Sequence, residues 1–551
     1  MLRRIRHRIP GSLRHRWKLV ALCCAVLVGL GVGAADARIR PYVLGDQRQA
    51  ADLVTEDIAG TVDLFDETVA HTVRLSYTDD AYERMLDAYF DEEEKNWIEA
   101  DLVVDGTTVP SIGIRLKGNS TLMSLTRDGQ PARGGGGPMG DAAAGPRGWQ
   151  GDQQQAPQGD QQQAPQGDGQ QAPQGDGQRV GGMGMTSLSG DQPEALPWLI
   201  SFDHFVKGRR YQGYQAVAVR AAGSGTATAL NEAVALSLVA ESGQAAQDYA
   251  YTSFMVNDRP AKVRLLVEDP GQQFADDLGD YGVLYKALST GEFSFQGEDP
   301  TEYTDDFKQI TRKGSQDVQP VIDLLRWVRD ASDAEFAANL AQHVDVESFA
   351  AYVALQNLLL NFDDMAGPGK NYYLWYDLDA TRFTVVTSDL NLTFSGNASQ
   401  GPHDNSSGFG QAMGGGGVGQ ERPGRDGGDA GPPDGFEPPD GGGQLPEGAR
   451  QDGDQAGGGP GGGMRMGNTL KERFLEIEAF RDDYELAYRQ LYQKLYVSGA
   501  AGNQLENLVA TLGGVAGVDR SAVDGEASTL RATIESRQQS LASDAVITGV
   551  Q

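Results

Sequence analysis

Two long stretches of the chain lack the apolar side chains from which a hydrophobic core is built. Residues 128–193 and 395–467 consist largely of Gly, Gln, Asp, Pro and other small residues. Within the first stretch, residues 152–179 repeat an eight-residue unit that reads Gln-Gly-Asp-Gln-Gln-Gln-Ala-Pro with small variations. Units whose largest apolar side chains are those of Ala and Pro cannot bury a face by stacking. We therefore predict two disordered inserts rather than a solenoid.

The rest of the chain is long enough for one large unit with a sizeable core. Apart from the inserts and the first 37 residues, 375 of the 551 residues remain, and a unit of this size can bury most of its apolar surface. Residues 38–127 and 194–394 mix strand and helix patterns, whereas residues 468–551 are mostly helical. This order predicts an α+β fold.

The charge of the chain argues against nucleic acid as a partner. The 77 acidic residues outnumber the 46 basic ones and give a net charge of −31, and seven of the basic residues fall within the first 18 positions. Binding to a phosphate backbone needs a basic surface, so an acidic body excludes this class of function. The only cysteines, Cys23 and Cys24, lie near the N-terminus. The folded part is therefore expected to have neither a disulfide nor a cysteine metal site.

The first 37 residues have the organisation of an export signal. A basic segment precedes the uncharged run Leu19–Ala35, and the small-x-small pattern Ala35-Asp36-Ala37 ends it. This order is typical of a signal peptide, although the 17 uncharged residues also reach the lower limit for a membrane anchor. Both alternatives predict an extracytoplasmic body, either secreted or anchored by the N-terminal segment.

Hydrophobic periodicity outlines the elements on either side of the inserts. Asp105-Gly106 between two strand-like runs predicts a hairpin, and Ser332 with Glu335 forms a capping-box pattern. The order predicts a sheet-rich half with one helix, then a helix-rich half that contains a small hairpin. The other predicted strands are 197–202, 214–220, 248–257, 262–268, 372–376 and 383–387, and the other predicted helices are 228–242, 346–360, 469–496 and 503–545.

A cluster of polar residues follows the long apolar helix predicted at 346–360. Asp363 and Asp364 come after the helix, Asn371 opens the first strand of the small hairpin, and Asp389 ends the second. A helix end, a loop and a hairpin can thus bring two Asp residues and an Asn together. Kinase-type phosphoryl transfer needs one carboxylate for the substrate hydroxyl, and an Asn and an Asp for magnesium on the phosphates. The alternative is structural, because Asx residues often cap helices and fill turns.

A strand that runs into a small polar turn adds a second candidate. The segment 114–121 reads Ile-Arg-Leu-Lys-Gly-Asn-Ser-Thr. Backbone amides in such a turn can bind phosphate, and Arg115 or Lys117 could neutralise its charge. The same residues are equally consistent with an ordinary hairpin turn.

An ordered series of short segments spans most of the foldable chain. These segments are Arg115-Leu116-Lys117-Gly118-Asn119-Ser120, Ile200-Ser201-Phe202-Asp203, Leu230-Asn231-Glu232-Ala233 with Gly243, Val256-Asn257, Glu268, Leu284-Tyr285-Lys286, Asn361-Phe362-Asp363, Asn371-Tyr372-Tyr373-Leu374 and Ser388-Asp389-Leu390. In this order, over residues 70–127, 194–396 and 464–500, they resemble the CotH family of spore-coat kinases, which are secreted proteins with an atypical protein-kinase-like fold.

The resemblance implies two lobes with ATP and Mg²⁺ bound between them. Asp363 would be the catalytic Asp, Asp389 the magnesium ligand, and Asn371 a further metal or phosphate ligand. The N-lobe would begin within residues 38–127, and the kinase-like core would occupy residues 194–394.

The resemblance also implies positions for four residues around the nucleotide. Arg115 and Lys117 would lie near the phosphates. Glu232 would lie on the N-lobe helix, where kinases place the Glu that pairs with a phosphate-binding Lys. Glu268 would lie near the nucleotide or the hinge.

The sequence departs from the family pattern at two places. The strand that precedes Phe202-Asp203 has no Lys, which leaves Glu232 without its expected partner unless Lys117 or Lys207 serves. Asn391 stands where the family more often has a second Asp, which removes one charge from the magnesium site.

Two main functions remain open on this basis. One is an exported kinase that transfers the γ-phosphate of ATP to Ser or Thr of extracytoplasmic proteins. The other is a catalytically inactive surface or matrix protein with the same fold, in which the inserts mediate interactions. Another phosphoryl or nucleotidyl transfer is a third alternative. A test of whether the protein binds nucleotide together with magnesium would distinguish the kinase from the inactive protein.

Overall fold

A computed structural model of the protein describes residues 54–118, 120–131, 188–221, 227–404 and 467–549. The fold is α+β, as predicted. The uncharged run Leu19–Ala35 and most of both inserts lie outside these residues. The predictions of an export signal and of disordered inserts therefore also fall outside the described residues. Among the described helices, none is long and apolar enough to cross a bilayer.

The regular elements include both strands and helices up to residue 387 and are helical after residue 467. The strands are β1 (Glu56–Ile58), β2 (His71–Ser76), β3 (Ile98–Val104), β4 (Thr107–Leu116), β5 (Leu125–Arg127), β6 (Gln130–Pro131), β7 (Leu188–Ser189), β8 (Trp198–Ser201), β9 (Arg209–Tyr211), β10 (Ala216–Val219), β11 (Tyr249–Val256), β12 (Lys262–Glu268), β13 (Gly282–Ala287), β14 (Phe307–Gln309), β15 (Tyr372–Asp377) and β16 (Arg382–Thr387). The α-helices are α1 (Asp79–Glu92), α2 (Leu230–Ser242), α3 (Gln272–Leu278), α4 (Gln319–Asp330), α5 (Asp333–Asn339), α6 (Val346–Leu358), α7 (Thr469–Glu476), α8 (Arg481–Tyr492), α9 (Ala500–Leu512), α10 (Arg520–Ala542) and α11 (Ala545–Thr548).

The first half of the chain forms a closed barrel in the strand order β10-β12-β11-β2-β3-β4-β8. Alternating burial along β2 and β3 directs their apolar side chains into the barrel. The predicted hairpin joins β3 and β4, because Asp105 and Gly106 adopt the positive φ angles of 46° and 84° that a tight two-residue turn needs. The side chains of Leu75, Ile114 and Trp198 are fully enclosed in this first core.

A second core joins a small sheet to the helices of the second half. The sheet has the strand order β14-β13-β15-β16, and α6, which is buried on most sides, packs against β16 and α8. Helix α2 follows the barrel strand β10, yet its buried residues belong to this second core together with residues of α9. The chain therefore has two lobes, and α2 contacts both of them.

Several predicted boundaries differ from those of the structure. The first insert was placed at 128–193, but β6, β7 and a 3₁₀ turn at Pro193–Ala195 extend the ordered chain into it from both ends. The second was placed at 395–467, but residues 395–404 are packed, since Tyr484 donates a hydrogen bond to the Pro402 carbonyl. Composition alone could not detect these contacts, because the partners lie far away in the sequence.

Two predicted helices are each divided into shorter ones. The prediction at 469–496 is interrupted after Glu476, where the 3₁₀ turn Glu478–Phe480 separates α7 from α8. The prediction at 503–545 is interrupted between α9 and α10, where Gly517 has a φ of 88°. The predicted capping box is present, with Ser332 and Glu335 each bonding the other's backbone.

The protein should fold without most of either insert. Replacing residues 132–187 and 405–466 by short Gly-Ser linkers should leave the melting temperature within a few degrees, since segments of this composition cannot offset the entropy of ordering. Calorimetry of the doubly shortened chain beside the full chain tests this. A collapse of soluble yield or of the cooperative transition would show that the inserts contribute to the fold.

Candidate active site

The loop between α6 and β15 holds a buried carboxylate in a defined position. The amide nitrogen of Asn371 donates a hydrogen bond to Asp363 Oδ2 at 3.0 Å, and the backbone N–H of Gly369 donates to Oδ1. The backbone N–H of Asp363 donates to Asn361 Oδ1 at 3.2 Å. Asn361 is in turn fixed by Gln356 of α6, at 2.8 Å. The sequence prediction that Asp363 and Asn371 meet is therefore confirmed.

The loop packs so closely around Asp363 that a larger residue in place of Gly369 would displace the Asp363 carboxylate or the Asn371 amide. A Cβ atom at position 369 would lie 2.5 Å from Asp363 Oδ2 and 2.9 Å from the amide nitrogen of Asn371. The preceding and following backbone is also unusual, because Leu360 and Lys370 have positive φ angles of 52° and 50°. Such conformations are costly for non-glycine residues and cluster at functional sites.

The neighbouring Asp364 has a different partner and a different role. Its carboxylate forms an ion pair with Lys471 of α7 and also accepts the backbone N–H of Ala366 at 2.8 Å. Both members of this pair are buried, so the ion pair joins α7 to the loop and leaves Asp364 unavailable to a substrate. Of the two adjacent Asp residues, only Asp363 is left for chemistry.

The environment of Asp363 suits a proton acceptor. Burial of the carboxyl group raises the pKa of Asp363 to about 6, the N–H of Gly369 opposes this rise, and the nearby Asp389 adds to it. A group that is buried, fixed, mostly ionised at neutral pH and more basic than an ordinary carboxylate can accept or orient a hydroxyl proton.

Asp389 lies two residues beyond the end of the second hairpin strand, β16, and belongs to the same site. It has a positive φ of 48°, and its Oδ1 atom is buried without a hydrogen-bond partner. The nearest cation is the guanidinium of Arg220, with Nη2 at 3.6 Å from Oδ1. An unsatisfied buried carboxylate oxygen is costly unless something binds it, and this oxygen belongs to the residue predicted to hold magnesium.

The partner of Glu232 is Arg220, which the sequence analysis did not consider. Glu232 Oε1 lies 2.5 Å from Arg220 Nη2, at the junction of the barrel and α2. Burial raises the pKa of Glu232, and Arg220 opposes this rise. The proposed alternatives are wrong: Lys117 pairs with another residue, and Lys207 lies exposed on the loop between β8 and β9.

Arg220 is held in place through its own backbone. The buried Arg264 of β12 donates from Nε to the Arg220 carbonyl at 2.8 Å. Arg264 also donates to the backbone carbonyls of Glu194 and Leu196. This arrangement fixes the end of β10, from which the Arg220 side chain reaches both Glu232 and Asp389.

Arg115 and Lys117 belong to a group of cations around one carboxylate. Lys117 Nζ lies 2.5 Å from Asp269 Oδ1, and the Arg115 guanidinium stacks on Trp97 at 5.0 Å from the ring centre. Burial alone would raise the pKa of Asp269, but Lys117 and Lys286 overcome it and lower this pKa to about 2. The cluster is a positive surface in a strongly acidic protein, as a site for phosphates requires.

Glu268 lies beside this cluster at the end of β12. It is buried, and its Oε2 accepts the backbone N–H of Asp248 at 3.4 Å. Burial raises the pKa of Glu268 to about 8, and the nearby Asp248 adds to this effect. The neutral form of Glu268 is therefore favoured in the folded protein at neutral pH.

Replacement of Glu268 by Gln should stabilise the protein at alkaline pH. Because the folded-state pKa exceeds the ordinary value, the stability that Glu268 contributes is complete below about pH 4.5 and is lost as the pH rises towards 8. A neutral Gln avoids this loss, so at pH 8.5 the variant should gain on the order of 5 kcal/mol over wild type. Urea unfolding at pH 5 and pH 8.5, with the exposed Glu241→Gln as control, measures the difference. An equal pH dependence in wild type and Glu268→Gln would contradict the expectation.

The residues at the site fit magnesium held jointly with phosphates. Among the residues that the structure describes, no group of three or more His, Cys, Asp or Glu side chains could hold a metal by itself. Magnesium at kinase sites needs only one or two carboxylates, with phosphate oxygens and water completing its shell. The unsatisfied Oδ1 of Asp389 and the amide oxygen of Asn371, whose nitrogen is used for Asp363, are ligands of this type.

Sequence reasoning missed three residues of the site. Arg220 and Asp269 each directly follow the last residue of a strand. A charged residue at a strand end is a signal by which the sequence could have identified them. Lys471 could not have been linked to Asp364 in this way, since it lies 107 positions further along the chain.

Comparison with known proteins gives the family of the chain. None of the curated proteins matches the chain. The family model described as CotH kinase protein matches residues 194–541, which is more than half of the chain and includes Asp363, Asn371 and Asp389. The chain therefore belongs to the CotH kinase protein family.

Proposed function

We propose that the protein is an exported kinase that transfers the γ-phosphate of ATP to Ser or Thr residues of extracytoplasmic proteins. The observation that carries this proposal is the environment of Asp363. Its carboxylate is buried, held by Asn371 and Gly369, and separated in function from Asp364 by the ion pair with Lys471. Membership of a kinase family supports phosphoryl transfer in general.

Asp363 would orient the acceptor hydroxyl and take up its proton. In phosphoryl transfer the protein itself takes part in little covalent chemistry, so most of the catalysis comes from positioning the reactants and stabilising charge. The two hydrogen bonds to Asp363 prevent its carboxylate from rotating, and burial keeps it weakly basic. Both properties suit a group that must meet a hydroxyl in one orientation.

Asp389 and Asn371 would hold magnesium on the nucleotide. The metal supplies positive charge that neutralises the phosphate oxygens. Arg220, fixed by Glu232 and Arg264, lies where its charge could stabilise the same phosphates. Lys117 and Lys286 extend this positive surface around Asp269, so phosphates that bind there would compete with Asp269 for Lys117.

Location outside the cytoplasm is part of the proposal. It rests on the basic segment, the uncharged run Leu19–Ala35 and the Ala35-Asp36-Ala37 pattern. Protease added to intact cells should digest the body if it is attached to the surface, and a secreted form should begin near Arg38. Full-length protein in the soluble cytoplasmic fraction would contradict this location.

One observation favours the alternative of an inactive surface or matrix protein. Arg220 Nη2 already lies 3.6 Å from Asp389 Oδ1, so a fixed cation is near the carboxylate that would bind magnesium. If this contact persists with ATP present, it would weaken metal binding.

Nucleotide binding by the purified chain decides between the two. Calorimetry with ATP in magnesium, in manganese and in EDTA should show binding that depends on the divalent metal. Transfer of ³²P from γ-labelled ATP to Ser/Thr peptides should then follow. If the protein binds no nucleotide with either metal, the kinase proposal fails and the inactive alternative replaces it.

A further inference from the structure

Helix α2 carries two residues that contact the active site. Glu232 pairs with Arg220. The adjacent Asn231 donates from its amide nitrogen to the carbonyls of Asn391 and Thr393, at 2.8 and 3.2 Å. These carbonyls belong to the loop that begins at Asp389. The position of α2 therefore determines both the cation beside Asp389 and the path of the loop that carries it.

The start of α2 is stabilised by a residue from the far end of the chain. The N-cap position is Ala229, which has a φ of 55° and no side-chain oxygen to accept the free N–H groups. Glu526 of α10 instead holds the two residues that directly precede this N-cap. Its carboxylate accepts the Thr228 hydroxyl at 2.5 Å and the backbone N–H of Ala227. A carboxylate at a helix N-terminus also interacts favourably with the helix dipole.

The helix that carries Glu526 is anchored on the catalytic lobe. Arg537, also on α10 and completely buried, donates to Asn357 Oδ1 at 2.6 Å and to the Tyr488 hydroxyl at 2.9 Å. Asn357 lies on α6, the helix that leads into the Asp363 loop. Helix α10 thus contacts both α6, which precedes the Asp363 loop, and the start of α2, which supports the Asp389 loop.

We infer that Glu526 is a positioning residue, through which the C-terminal helix α10 holds α2, and through Asn231 the Asp389 loop, in the arrangement that binds magnesium–nucleotide. The inference rests on the proposed function for its nucleotide readout. Glu526 need not touch the nucleotide for this effect, because it acts through the start of α2. Phosphoryl transfer would then depend on residues about 140 positions beyond Asp389 in the chain.

Glu526→Ala in the full chain tests this directly. Loss of the two hydrogen bonds to Ala227 and Thr228 should weaken magnesium–ATP binding about fivefold to tenfold, in line with the modest net contribution of a hydrogen bond, and should leave the KM for the acceptor peptide unchanged. Glu526→Gln should restore most of the affinity, because its amide oxygen can accept the Ala227 N–H and its amide nitrogen can donate to the Thr228 oxygen. Glu535→Ala, an exposed Glu on the same helix, is the matched control.

A measurement that needs no nucleotide separates this inference from the proposed function. Hydrogen exchange in Glu526→Ala should accelerate in residues 227–232 and 388–394, but not in the barrel strands. Thr228→Val, which removes the hydroxyl with little change of shape, should produce the same pattern to a smaller extent and keeps the test valid if Glu526→Ala folds poorly.

Two outcomes would overturn the inference. One is unchanged exchange at residues 388–394 in both Glu526→Ala and Thr228→Val. The other is an equal loss of affinity in Glu526→Gln and Glu526→Ala. If wild type binds no nucleotide while the exchange pattern is as expected, the proposed function fails but the mechanical connection from α10 to the Asp389 loop holds.

Discussion

Asp363→Asn should lower phosphoryl transfer by about 10²–10⁴-fold, the range that a general base contributes, while magnesium–ATP affinity stays within a few-fold. The asparagine keeps the size of the side chain and an oxygen that can accept the N–H of Gly369, but it cannot take up a proton. A group that acts on the acceptor hydroxyl contributes mainly at the transition state, so nucleotide binding should change little. Calorimetry and γ-³²P transfer on the same preparation measure both quantities.

Asp364→Asn is the matched comparison, because it makes the same chemical change one position away. Breaking the buried ion pair with Lys471 leaves an unpaired charge, which typically costs about 3–5 kcal/mol of stability. The expected result is a large fall in melting temperature, with transfer activity retained by the fraction that stays folded. If Asp364→Asn were inactive but stable and Asp363→Asn remained active, the assignment of the catalytic Asp would be wrong by one position.

Asp389→Ala should abolish magnesium-dependent nucleotide binding. The substitution removes the carboxylate whose Oδ1 has no hydrogen-bond partner among the described residues, and a metal ligand acts before the chemical step. The loss of several kcal/mol of charge stabilisation corresponds to a fall in affinity of about 100-fold or more. Activity should fall in parallel, which distinguishes this variant from Asp363→Asn.

The control for Asp389→Ala is Asp379→Ala, in the exposed turn of the same hairpin. It removes an equal charge from the same element without approaching the site, and should bind nucleotide as wild type does. Metal-dependent binding that survives in Asp389→Ala would show that other residues hold the metal. Binding that becomes tighter would indicate that Asp389 mainly neutralises Arg220.

Most secondary-structure elements could be predicted because their signals are local. The alternation of buried and exposed residues in β2, the Asp105-Gly106 turn and the capping box at Ser332 each involve neighbours in the sequence. The insert boundaries and the division of the C-terminal helices were less predictable. Their positions depend on contacts such as the hydrogen bond from Tyr484 to the Pro402 carbonyl, which joins segments on either side of an insert.

The order of residues along the chain already indicated that Asp363, Asn371 and Asp389 belong to the candidate site. Asp363 follows an apolar helix, Asn371 precedes a hairpin, and Asp389 follows that hairpin. Because these elements are adjacent in the sequence, they can bring the three side chains together. Only the tertiary structure decided which of two adjacent Asp residues is available, because Lys471 reaches Asp364 from 107 positions away. It also decided that Arg220 and not a lysine pairs with Glu232, and that Glu526 supports α2. The physical reason is that a buried charge takes the partner that packing brings within a few ångströms, and that partner is set by the fold rather than by neighbours in the sequence.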